Sequence, residues 1–317
     1  MKRAAALLAC LGILVLTFQF RVRPWYLRWG ATTEDIGRSL AGDEIVLRAT
    51  HQETRAIAIN APIDRVWPWL AQLGQDRGGF YSYDLLENLV GCDMPTEDRL
   101  QASKQHWQLG DRLWMYPPRK AGAMGFATLR AYEAGRVLAF GTHAIGTPST
   151  APEDGSWVFL LEPSSPTTTR LVIRGRSVPP RTLLARIFDR AVFEPAHFVM
   201  ERRTMLGLKQ LAETGHRSRT ANHLQVGLWA ATFAVFLLSI WQAMRSIRPG
   251  HWLLGCLASG FLFQLLTLAQ PGVVLGALLL TALALWLFAG NPSDPPLEVK
   301  FQTALHPWPG QTAQTAL

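Results

Sequence analysis

Between residues 220 and 290 the sequence contains neither Asp nor Glu, and only Arg245 and Arg248 carry full charge there. This gap is the main reason that charged residues make up 17% of the chain, below the roughly 25% usual in globular proteins. Cysteine is scarce as well. Cys10, Cys92 and Cys256 stand far apart, which excludes a disulfide scaffold and a cysteine-based metal or redox motif. No segment repeats, so a solenoid is excluded. Clusters of Lys and Arg interleaved with aromatics are missing despite the net charge of +8, and nucleic-acid binding, which needs phosphate neutralisation and base stacking, has no footing. The GxxxxGK phosphate loop and the GxSxG nucleophile elbow are also absent.

What is present is a set of apolar runs. Residues 4 to 20 follow Met1-Lys2-Arg3 and are long enough to approach the ~30 Å bilayer core. The following RVRPWYLR lacks a small-x-small cleavage pattern, so the run is expected to stay as an anchor. Near the other end, His223 to Trp241, Trp252 to Leu268 and Val273 to Ala289 predict three further transmembrane helices, the last two joined tightly at Ala269-Gln270-Pro271-Gly272. No acidic group lies in them, which argues against an ion pathway. Arg21, Arg23, Arg28, Arg217 and Arg219 flank the middle region, against Lys2, Arg3, Arg245 and Arg248 on the opposite side. That balance predicts a multi-pass cell-membrane protein whose middle domain is cytoplasmic. The expected division is an anchor at 1–20, a globular domain at 21–219, three transmembrane helices at 220–290 and a disordered tail at 291–317.

The middle region holds 26 Lys and Arg against 21 Asp and Glu, a modest +5, and it alternates like an α+β domain. Arg55, Ile57 and Ile59 share one face of a strand that ends at Asn60-Ala61-Pro62. Val66, Trp69, Leu70 and Leu73 then recur at helical spacing, and SYDLLENLVG reads as a second helix closed by Gly91. DRLWMYP, FATLRAYE, RVLAFGTH, SWVFLLEP and TRLVIRGR read as strands, the last two as a hairpin. Residues 181 to 213 predict a long amphipathic helix with Pro195 as a break or kink. Arg170, Arg174 and Arg176 alternate against Leu171 and Ile173 and are expected on a solvated outer sheet face.

The passage RAIAINAPIDRVWPWLAQLG, with its A-P-x-x-x-V-W step, resembles the START-like superfamily (SRPBCC, Bet v 1-like), which includes polyketide cyclase/dehydrase and lipid-transport proteins. RWGATTEDIGRSLAGDEIV, QDRGGFYSYDLLENLVG, the Gly110-Asp111 step and EPAHFVMERRTMLGLKQLAE are similar, in that order, to a bacterial membrane-anchored branch of it. The resemblance covers about residues 28 to 213. It implies a helix-grip fold, in which a curved antiparallel sheet wraps a long C-terminal helix around an internal cavity.

A cavity lined by aromatics and a few polar groups is a default ligand site. Its expected lining draws on Trp67, Trp69, Phe80, Tyr81, Tyr83, Trp114, Phe126, Trp157, Phe193 and Met200, with Asp76 and Arg77 orienting a polar headgroup at the mouth. Tyr81, Asp84 and His197 are the candidate catalytic residues, with His197 as general acid or base. Glu194, His197 and Glu201 share a helix face, but a second Glu-x-x-His copy is missing, so no metal is expected, and no cofactor either. Three functions fit: a tethered module binding an apolar or amphipathic, lipid-like molecule, a polyketide cyclase-like enzyme, or a membrane assembly or regulatory protein with a vestigial cavity. The expected partners are the bilayer, a hydrophobic small molecule and, for the third reading, another membrane protein.

Overall fold

The computed structural model describes residues 1–95, 97–121, 125–143 and 151–289; the expected tail at 291–317 lies outside them. Six antiparallel strands form one sheet in the order β1-β6-β5-β4-β3-β2. They are β1 (His51–Ile59), β2 (Arg112–Trp114), β3 (Phe126–Glu133), β4 (Val137–Thr142), β5 (Gly155–Ser165) and β6 (Thr168–Ser177). The chain begins with helix α1 (Lys2–Tyr26) and a short α2 (Thr33–Gly37). Helices α3 (Ile63–Ala71) and α4 (Asp84–Leu89) fill the crossover from β1 to β2. After β6 come α5 (Leu183–Phe188), one π turn (Asp189–Phe193) and α6 (Glu194–Thr214).

Leu138, Phe140, Phe159, Leu161, Leu171 and Ile173 point to the concave side of the sheet, where Met205, Leu208 and Leu211 of α6 and Val66 and Leu70 of α3 meet them. A sheet holding its long helix in this way is a helix-grip fold. Pro195 does not break the final helix. It lies within a helical run that continues from Leu183 to Thr214, and the irregularity falls immediately upstream as the π turn.

The outer face differs from the sequence expectation. Residues 28 to 48 lie across it, and Leu40, Ala31 and Ile45 cover Ala56, Val137, Ala139, Val158 and Val172. Arg174 is therefore buried rather than solvated, and its Nη1 donates to Asp43 Oδ2 at 2.7 Å and to the Arg38 carbonyl at 2.9 Å. Arg170 pairs with Asp35 and Arg176 donates to the Asp43 carbonyl. Burial alone would raise the Asp35 pKa, but Arg170 and the Thr32 hydrogen bonds outweigh it and hold the group at about 2. The alternating arginines are clamps for this covering segment.

Among the described residues, three helices are long and apolar enough to cross a membrane: α1, α7 (Arg219–Arg245) and α8 (Pro249–Ala269). Helix α1 continues past residue 20 to Tyr26, which is fully buried. The fourth, α9 (Val273–Ala289), has 17 residues, about 25 Å at 1.5 Å per residue and short of a ~30 Å core. Arg3 donates to the carbonyl of Met244, so the start of α1 lies beside the end of α7. The α8–α9 link docks on the domain instead: Gln270 Nε2 donates to the Val199 carbonyl at 2.9 Å and Arg202 to Gln270 Oε1 at 3.2 Å.

Gly207 sets the closeness of α6 to the chain before α4, because a Cβ there would run into the carbonyl of Tyr81, itself held at φ 55°. Gly207→Ala is expected to lower unfolding free energy by about 1–3 kcal/mol. Gly227→Ala in α7, where a Cβ meets nothing within 4 Å, is expected to be neutral or slightly stabilising. Denaturant titration of both variants in detergent checks the contrast.

Candidate functional site

The inward face of β1 begins with two ionisable residues, Glu53 and Arg55, before it turns apolar at Ile57 and Ile59. Arg55 is fully buried. Its Nη1 donates to Glu201 Oε1 at 2.6 Å, its Nη2 to Glu53 Oε2 at 2.6 Å and its Nε to the Tyr26 carbonyl at 2.9 Å. The guanidinium also lies 5.0 Å from the centre of the Phe198 ring. One side chain thus joins the sheet, the central helix and the end of α1. Burial opposes the charge on Arg55, but Glu53 and Glu201 outweigh it and raise the pKa.

Further acids and imidazoles surround this centre. Glu201 Oε2 accepts from Trp157 Nε1 at 2.7 Å. His197 Nδ1 lies 3.5 Å from Glu53 Oε1 and its Nε2 4.0 Å from Glu201 Oε2. Glu194, at the start of α6, accepts from Arg23 Nη2 at 2.6 Å and from the Tyr26 hydroxyl, with His51 Nε2 3.8 Å away. Burial alone would lower the His197 pKa, yet the Glu53 hydrogen bond and the charges of Glu201 and Glu53 raise it above the ordinary imidazole value. Glu53 in turn is disfavoured as an anion by burial, but Arg55 and His197 hold it well below the usual carboxylate range. Gly175 faces Glu53 across the β1–β6 pair, and a Cβ there would stand 2.7 Å from Glu53 Oε1.

Beside this cluster a cavity of about 430 Å³ opens between the starts of β1 and β5, the end of β6 and the α5–α6 helix. His51, Glu53, Asp189, Glu194 and His197, with Asp154 and Arg176, form its charged and imidazole side, while Phe126, Trp157, Phe188 and Phe193 form its apolar side. Phe193 stacks on the His197 ring at 5.9 Å. Two buried lining atoms, Ser156 Oγ and His143 Nδ1, have no hydrogen-bond partner among the described residues. Buried polar atoms are rarely left so, which marks this wall as a place for a ligand group.

Of the expected lining, Phe126, Trp157, Phe193 and His197 meet at this cavity. Trp69, Phe80 and Tyr81 belong to the closed core, and Trp67 packs partly buried against it. Trp114 lies 5.0 Å from Phe126, one step outside the cavity wall. Arg77 stacks 3.7 Å over Trp107 and donates to the carbonyls of Lys104 and His106, so it braces a loop, with Asp76 beside it, rather than a mouth. Tyr83 donates to Gln225 at 2.8 Å and Asp84 lies 3.8 Å from His223, both at the junction with α7. Met200 faces away, toward the apolar helices. Tyr81 and Asp84 therefore do not flank His197 at the cavity, and Glu53 is its neighbour instead. Reading Glu53 as part of an alternating strand hid it; the signal was an ionisable pair on a strand face that otherwise turns inward.

Glu53, His197 and Glu201 bring ligand atoms within 4.8 Å of one another. The guanidinium of Arg55 already contacts both carboxylates, so a metal cation there would meet a fixed positive charge.

No protein-family model and no curated protein matches the chain. Solved structures do: a protein from Mesorhizobium loti at 17% identity, covering 50% of this chain and 96% of its own, with a TM-score of 0.27. A polyketide-cyclase-like protein from Corynebacterium glutamicum matches at 15% identity over 56% and 93%, TM-score 0.24. The Zhui aromatase/cyclase from a Streptomyces species matches at 14% over 53% and 99%, TM-score 0.29. At such scores the helix-grip assignment rests on the strand order and the gripped helix themselves.

Removing Arg55 leaves two buried carboxylates facing each other. Arg55→Met is expected to cost about 3–5 kcal/mol of stability, and adding Glu201→Gln to it should recover part of the loss, both read by urea unfolding. The His197 contribution has the opposite pH sign from a carboxylate's: it is full below the ordinary value of 6.5 and fades as pH rises through the raised value. The melting-temperature gap between the unsubstituted protein and His197→Gln should accordingly narrow from pH 6 to pH 9, and a constant gap would refute it.

Proposed function

We propose that this protein is a membrane-tethered START-like module that holds an amphipathic, lipid-like small molecule. The apolar part of the ligand rests on Phe126, Trp157, Phe188 and Phe193, and its polar end, a carbonyl or hydroxyl, accepts from the His197 imidazole and reaches Ser156 and His143. The observation that carries this reading is the cavity of about 430 Å³ with an ionic wall, an aromatic wall and two polar atoms that have no partner among the described residues. The carboxylates of Glu53 and Glu194 are already paired with Arg55 and Arg23, which favours a neutral polar group over a cation. Helices α1, α7 and α8 supply the tether, with the domain on the cytoplasmic side by the distribution of flanking arginines. Tethering shortens the path between bilayer and cavity, and burying a chain contributes about 0.8 kcal/mol per CH₂.

A second reading, a cyclase-like enzyme, is favoured by one observation. His197 sits 3.5 Å from Glu53 beside an aromatic cavity with a raised pKa, an arrangement suited to delivering a proton to a bound carbonyl.

Native mass spectrometry of the full chain in detergent should detect a small molecule, or binding from a panel of fatty acids, isoprenols and aromatic polyketones, and Ser156→Trp should abolish it. An empty protein that binds none of the panel would refute the module. Turnover of a polyketone that disappears in His197→Ala while binding persists would select the enzyme.

A further inference from the structure

Helix α5 and the π turn separate two spaces. Ala185, Phe188, Asp189 and Phe193 face the cavity described above. Leu183, Arg186, Ile187 and Arg190 recur at helical spacing on the other side and wall a much larger groove of about 1380 Å³. Leu14 and Phe18 of α1, Phe233 and Phe236 of α7 and Phe263 of α8 complete it, so it lies between the helices that are able to cross a membrane. Leu183, Leu184 and Ile187 are 73%, 78% and 54% exposed, an apolar surface that suits a helix lying at the boundary of headgroups and acyl chains.

The charge of the groove points to its occupant. Arg186 and Arg190, one turn apart, both line it, and neither makes an ion pair among the described residues; Arg186 uses its Nε on the Pro180 carbonyl alone. The lining also contains one acid, Glu87, which burial and then Asp84 push up to about 7, so its negative charge is weakened. A buried amide oxygen, Gln264 Oε1, lacks a partner among the described residues in the same wall and can accept from a headgroup hydroxyl. An apolar groove whose unpaired charges are two guanidiniums fits an anion carrying long apolar chains.

We infer that this groove is a phospholipid site distinct from the cavity in the sheet: acyl chains lie between α1, α7 and α8, and the anionic headgroup lies on Arg186 and Arg190. The inference rests on the tethered reading above. The site places a lipid against the helix whose opposite face forms the cavity wall.

The full chain is assembled in nanodiscs of equimolar phosphatidylglycerol and phosphatidylcholine, released into mild detergent, and its retained lipid is identified by native mass spectrometry. Phosphatidylglycerol should be enriched about thirtyfold, as two interfacial arginines imply. Arg186→Gln with Arg190→Gln, both at exposed positions, should bring the ratio close to one. Ala196→Trp, which fills the groove, should remove both lipids. Ser156→Trp should leave the enrichment intact, which separates this site from the cavity. Equal retention of the two lipids, an unchanged ratio in the double variant, or loss of enrichment in Ser156→Trp would each overturn the inference. A chain that fails to enter nanodiscs would overturn the tether and this site together, while an empty cavity with enriched phosphatidylglycerol would overturn only the cavity reading.

Discussion

The arrangement depends on one desolvated guanidinium. Arg55 is held by Glu53 on its own strand, Glu201 on the central helix and the carbonyl of Tyr26 at the end of α1. A charge removed from water must be matched by partners of good geometry, and here each partner comes from a different part of the chain. The position of α6 on the sheet, and of α1 against both, follows from satisfying that charge. The Glu53–His197 and Glu194–Arg23 contacts extend the same network to the cavity wall.

The helical segment from Leu183 onward works between two solvents. One face meets aromatic and ionic groups of the helix-grip domain, and the other meets residues of helices apolar enough for a bilayer. The π turn at Asp189–Phe193 lies immediately before Pro195, where the segment passes from exposed to gripped, and Phe193 and His197 stack there. Gln270 of the α8–α9 link donates to Val199 of the gripped helix, and Gln225 of α7 donates to Pro271 of the same link, so the apolar helices are tied to one another and to α6. The cavity and the groove therefore share one element as a common wall.

Much of the fold was legible because it is written in local periods. The alternation in SWVFLLEP and TRLVIRGR marked β5 and β6, and Asn60-Ala61-Pro62 marked the end of β1 and the entry to α3. The site was legible only in part. Trp157, Phe193 and His197 reach the cavity, but Tyr83 and Asp84, which look like cavity residues in a Gly- and Tyr-rich stretch, are claimed by Gln225 and His223 of α7. The arginines at 170, 174 and 176 look solvated by alternation, yet residues 28 to 48 cross that face and bury Arg174. Alternation says which residues share a face, and says nothing of what later covers it.

By itself the sequence determined the main strands and helices and the apolar helices able to span a membrane, because backbone periodicity and hydrophobic length act over a few residues at a time, while its resemblance to the START-like superfamily implied the helix-grip class. Only the tertiary structure decided that Arg55 would join residues 26, 53 and 201, that Glu53 rather than Tyr81 or Asp84 would stand beside His197, and that Arg186 and Arg190 would face an apolar groove. Those outcomes are long-range because a charge taken out of water pairs with whatever partner the packed chain brings within reach, at any separation along it.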